Sequence, residues 1–164
     1  MGSPRTDQAS RHILAPKEFI YAALTSAEAV KSWLPPKGAR AAIHAFDPRP
    51  GGAFRLTLEF ADTGSSGTRK TTKTSDVVDG AFVDLIPGAR VQQKFDFVSD
   101  DPEFAGTMVM TWDLADVADG TLVTVTAWNV PAGISREDHE RGMASSLANL
   151  AAFVEAARNA SPSR

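Results

Sequence analysis

SREDHERGMASSLANLAAFVEAAR, Ser135 to Arg158, carries the period of one long amphipathic helix. Ser135 followed by Asp138 three residues on is a capping-box-like start, with the hydroxyl placed to accept from an early backbone N–H. Met143, Leu147, Leu150, Val154 and Ala157 recur at steps of four, three, four and three, which puts them on one face. Arg141, Ser145, Asn149, Glu155 and Arg158 fall mostly on the other faces and are expected to stay wet. Roughly 24 residues at 1.5 Å each make a rod of about 36 Å. A rod with one apolar stripe needs a broad surface to lie on, and most of the chain before it reads as strands. The expected architecture is α+β: a curved antiparallel sheet wrapped on this helix.

The upstream pattern supplies that sheet. Phe54, Leu56, Leu58 and Phe60 alternate with Arg55, Thr57 and Glu59, the period of a half-buried strand. Val91, Gln93, Phe95 and Phe97 share a second face, and Met108, Met110, Trp112 and Leu114 a third. A weak strand over 41–47, a long one over 71–85 bent near Gly80, and a last one over 121–129 complete a meander of six. Asp47-Pro48-Arg49-Pro50-Gly51-Gly52, Pro87-Gly88, Asp100-Asp101-Pro102 and Asp119-Gly120 supply the turns. Before the meander, residues 11–14 read as the end of a first strand. Two short helices follow, over 17–24 with Phe19, Ile20 and Ala23 inward, and over 27–34 with Val30, Trp33 and Leu34 as anchors. The domain is expected to span 8–158, with 1–7 and 159–164 as flexible ends.

Composition narrows the function. At 164 residues the chain fits one domain with a real core. A net charge of −3 without a dense basic run argues against nucleic acid. No apolar run approaches the roughly 20 residues of a membrane span, and no basic-then-apolar leader opens the chain, so no membrane partner and a cytoplasmic location are expected. Cysteine is absent, which removes disulfides, thiolate chemistry and cysteine-held zinc. The three histidines, His12, His44 and His139, show no metal-ligand spacing, and no Gly-x-Ser-x-Gly elbow exists. No metal and no cofactor are expected.

Arg11-His12-Ile13, Ala15-Pro16, Ala22-Ala23-Leu24-Thr25, Trp33-Leu34-Pro35, the segment Asp47 to Phe54, and His139-Glu140-Arg141-Gly142-Met143 occur in that order. Together they resemble the family named for the activator of Hsp90 ATPase, within the helix-grip group that also contains START and Bet v 1-like domains and polyketide cyclases. The resemblance runs from Arg11 to Ala157. It implies a seven-stranded antiparallel sheet wrapped on the long helix, with two short helices after strand one. The family usually carries an aromatic pair near Trp33 and a tryptophan after the helix glycine. Here Leu34 and Met143 stand in those places, so a cavity of altered shape is expected.

The leading functional expectation is a hydrophobic or amphipathic small molecule held between sheet and helix. Trp33, Phe54, Leu56, Phe95, Met110, Trp112, Met143 and Leu147 are expected to line the site, with Gln93 and His139 as polar contacts. The plain reading of Gln93 is a core amide bonded to a neighbour, and that of His139 is a helix-start ring bonded to a loop. In the sharper reading His139 orients a ligand or moves a proton, and its loss costs little stability. Two other classes stay open. One is a cyclase- or hydrolase-type enzyme in the same cavity, with His139 as acid or base. The other is co-chaperone contact through the outer surface, which only the resemblance implies. Self-association as a homodimer also stays open.

Overall fold

A computed structural model describes residues 5–35, 39–60, 75–97 and 105–160. The chain runs β1 (Thr6–Ile13), α1 (Lys17–Leu24), α2 (Ala27–Trp33), β2 (Ala39–Phe46), β3 (Ala53–Phe60), β4 (Ser75–Ile86), β5 (Arg90–Phe97), β6 (Gly106–Val117), β7 (Gly120–Trp128) and α3 (Arg136–Ala160). The strands form one antiparallel sheet in the order β1-β7-β6-β5-β4-β3-β2. Strands β1 and β2 are therefore opposite edges, and α1 and α2 carry the chain from one to the other. The first part of the strand expected over 71–85, residues 71–74, and the turn at 100–102 lie outside the described residues.

One face of the sheet is wet and cross-paired, as Gln8–Thr126, Arg90–Asp113, Gln92–Thr111 and Arg55–Asp79 show. The other face is the core. Val91, Phe95, Met108, Trp112 and Leu114 are buried there, with Val123, Val125 and Ala127 from β7. Phe46, Phe54 and Phe82 cluster with ring centroids 5.3–5.5 Å apart, and Phe95 joins Phe54 at 5.8 Å. Among the described residues no helix is long and apolar enough to cross a membrane.

The long helix forms as its sequence predicts. Ser135 Oγ accepts from Asp138 N at 3.1 Å, and Met143, Leu147, Leu150, Ala151 and Val154 are buried. Ala157 is exposed, because the stripe outlasts the surface it lies on. Helix α3 packs on β1 and on both short helices. It also covers the free edge of β1: Glu155 Oε2 accepts from Leu14 N at 2.9 Å, and Glu140 Oε2 from Gln8 N at 3.5 Å.

Several expectations shift. Strand β1 starts at Thr6, well before 11, and holds Asp7 fully buried where a flexible end was expected. In α1 the buried triplet is Ile20, Ala23 and Leu24, and Phe19, about 100° round from Ile20, is exposed. The irregularity in β4 falls between Phe82 and Asp84, three residues beyond Gly80, and β2 carries another between Ile43 and Ala45. Val117 pairs with Gly120, so Ala118 and Asp119 form the β6–β7 turn, Asp119 taking φ 67°. The Asp47–Gly52 turn is structural. Gly51 N donates to Phe82 O and Phe82 N to Gly52 O, both at 2.8 Å, stitching it to β4. A Cβ on Gly52 would collide with the Asp47 carbonyl.

Candidate ligand cavity

Helix α3 presents two neighbouring stripes. One, from Met143 through Leu147 and Leu150 to Val154, packs into the core. The other, running through His139, Gly142, Ser145, Ser146 and Asn149, faces open space. Gly142, Ser145 and Ser146 place little bulk there, and a cavity of about 440 Å³ lies between this stripe and β3–β6. A Cβ built on Gly142 would meet nothing within 4 Å. Leu24, Val30, Trp33 and Leu34 from the short helices close one side, and Phe54, Leu58, Val78, Phe95, Met108 and Trp112 line the sheet side.

Eight of the ten residues expected at the site border this cavity: Trp33, Phe54, Gln93, Phe95, Met110, Trp112, His139 and Met143. Leu56 and Leu147 do not. Both are fully packed, with about 1% or less of their surface exposed, and none is left to face the space. Sequence reading missed Gly142, Ser145, Ser146 and Asn149. A glycine and three small polar residues on a helix look like its solvent side, and only their place beside the apolar stripe distinguishes them.

Aromatic and polar groups are both fixed here. Trp33 donates its indole N–H to Ala23 O at 2.9 Å, tying α2 to α1. Its ring meets Trp112 edge-on, centroids 5.7 Å apart at 78°. Trp112 Nε1 donates to Gln93 Oε1 at 3.2 Å, a buried bond that satisfies the amide oxygen. An indole only donates, so the Gln93 oxygen is the atom facing Trp112 and the NH₂ group is left over.

His139 bonds within the protein and also stands beside the cavity. Its Nδ1 lies 2.8 Å from Asp7 Oδ2, and the residue also borders the cavity. The partner is a strand residue, not a loop. Asp7 takes two further hydrogen bonds from Arg5, at 3.1 and 2.9 Å, and one from Arg136 at 3.2 Å. Burial pushes the Asp7 carboxyl up, but the bonds from Arg5, His139 and Arg136 outweigh it and hold the group below its ordinary value. His12 is exposed on β1, and His44, bonded to Thr57 Oγ1 at 2.8 Å, is on the wet face of the β2–β3 pair. Among the described residues no three metal-ligating side chains gather.

An open antiparallel sheet gripping a C-terminal helix, with two short helices across the gap and an apolar cavity beneath, defines a helix-grip domain. The chain belongs to the Activator of Hsp90 ATPase homolog 1-like protein family, whose model matches residues 14–155. Solved structures agree on the fold. A protein from Chromobacterium violaceum is 29% identical, with a TM-score of 0.78 over 92% of this chain and 96% of its own. An AHSA1-like protein from Aeromonas hydrophila is 17% identical, with a TM-score of 0.75 over 98% and 99%. A protein from Nitrosomonas europaea is 18% identical, with a TM-score of 0.72 over 97% and 99%. Comparison with curated proteins gives no match.

Proposed function

We propose that this domain binds a small, largely apolar molecule in the cavity between α3 and β3–β6. The observation that carries the reading is the cavity itself: about 440 Å³, walled by Trp33, Phe54, Phe95, Met108, Met110 and Trp112, with a surface that is mostly apolar. Protein interiors ordinarily pack to crystal-like density, so a space of this size is a feature that the small α3 side chains maintain. Its volume lies in the range of small-molecule sites. Convergent polar groups in an apolar wall are what orient a ligand, and Gln93 and His139 fill that role.

Native mass spectrometry of protein purified without denaturant tests the reading. The expected spectrum carries an added mass that disappears on unfolding, or acquires one when N-phenyl-1-naphthylamine, a neutral apolar dye, is added. A bare mass under both conditions overturns it.

A further inference from the structure

The buried cluster at the start of α3 is more than the cavity reading requires, and its geometry is directional. Asp7 is fully buried and holds hydrogen bonds from Arg5, Arg136 and His139. An ionised carboxylate only accepts, so the hydrogen between Asp7 and His139 sits on Nδ1. In the neutral ring this leaves Nε2 as a lone-pair acceptor. Nε2 bonds to no described residue, and among the described residues no buried side-chain nitrogen or oxygen lacks a partner. It is therefore reachable, and His139 borders the cavity. Gln93 offers the opposite character in the same space. Trp112 occupies its oxygen, and its NH₂ group, which bonds to no described residue, can donate.

We infer that His139, positioned by Asp7, is a hydrogen-bond acceptor in the cavity, and that with Gln93 as donor it selects apolar ring compounds carrying a phenol-type hydroxyl. The inference rests on the cavity reading and adds the class of ligand. A hydroxyl satisfies both groups, donating its hydrogen to Nε2 while its oxygen, or a second oxygen on the ring, accepts from the amide. A ligand without a donor leaves the Nε2 lone pair facing apolar surface, which costs binding. A carboxylate sets its own lone pairs against that of Nε2. Asp7 acts only through the ring and is a positioning residue. Its carboxylate fixes which nitrogen carries the hydrogen, while Arg5 and Arg136 hold the carboxylate in place.

The test is fluorescence titration of the full chain with 2-naphthol, 2-methoxynaphthalene and 2-naphthoate. The expected result is 2-naphthol bound about tenfold more tightly than its methyl ether, the worth of one buried hydrogen bond. In His139→Phe, which keeps a ring but no acceptor, the ratio should fall to about one by the same loss. In Asp7→Asn the amide can donate to Nδ1, moving the ring hydrogen to Nε2, and the ratio should fall likewise. A purely structural role for Asp7 would lower stability without changing the ratio. If Asp7→Asn does not fold, the wild type and His139→Phe decide. Equal binding of naphthol and ether by the wild type, a preference surviving in His139→Phe, or 2-naphthoate binding tightest overturns the inference and leaves the cavity reading standing. Binding of none of the three overturns both.

Discussion

Asp7 occupies an inward position of β1 that apolar periodicity would assign to a valine or leucine. Its burial is tolerable because its oxygens share four hydrogen bonds, three of them from arginine. Arg5 and Arg136 keep part of their surface in water, so breaking the cluster strands less charge than a fully buried ion pair would. Asp7→Asn is expected to cost about 3 kcal/mol at neutral pH, the low end for a broken buried pair. The pH dependence follows in sign. The folded carboxyl titrates below its ordinary value of 3.8, so its stabilisation is complete above that value and is lost as pH falls through the lower folded one. Urea unfolding at pH 7 and at pH 3 should show the gap between wild type and Asp7→Asn narrowing in acid. A gap independent of pH would mean that the carboxylate charge contributes nothing.

At the scale of elements, α3 is stapled to the edge of the sheet by its first turns. Ser135 caps the helix, His139 bonds to Asp7, and Glu140 reaches the backbone of Gln8. The His-Glu-x-Gly element thus has a physical meaning at each place: the histidine and glutamate hold β1, and the glycine leaves the cavity open. Ser135→Ala removes the acceptor for Asp138 N and should cost about 1 kcal/mol by chemical denaturation. Because the cap sets where the staple begins, amide exchange along 136–140 should quicken as well. Unchanged stability and exchange would show that the tertiary contacts of His139 and Glu140 hold the helix start without its cap.

Across the whole molecule, period and turn chemistry made the sheet, the two short helices and the long helix legible, since one wet face forces alternation on every strand. The aromatic wall was legible for the same reason: Trp33, Phe54, Phe95 and Trp112 face inward wherever the core is. Two things were not. Whether an inward residue meets a neighbour or a void depends on how far apart the elements sit, so Leu56 and Leu147 looked no different from Phe54 and Met143. Polar residues that face a cavity rather than bulk water carry no local mark, which hid Ser145, Ser146 and Asn149. Asp7 was hidden because its burial depends on Arg136 and His139, about 130 residues away in sequence.

If the gap beneath α3 is a binding site kept open by small residues, Gly142→Leu should close it. A leucine there replaces a helix-interior glycine, a change worth up to about 1 kcal/mol in helix propensity, and its side chain has free space to enter. Titration of N-phenyl-1-naphthylamine against wild type and variant, beside thermal melting of both, reads the outcome. The variant is expected to be at least as stable as the wild type, with a dye affinity that falls by about tenfold or more through steric exclusion from this cavity. A folded Gly142→Leu protein that binds the dye as the wild type does would place binding elsewhere and contradict that expectation.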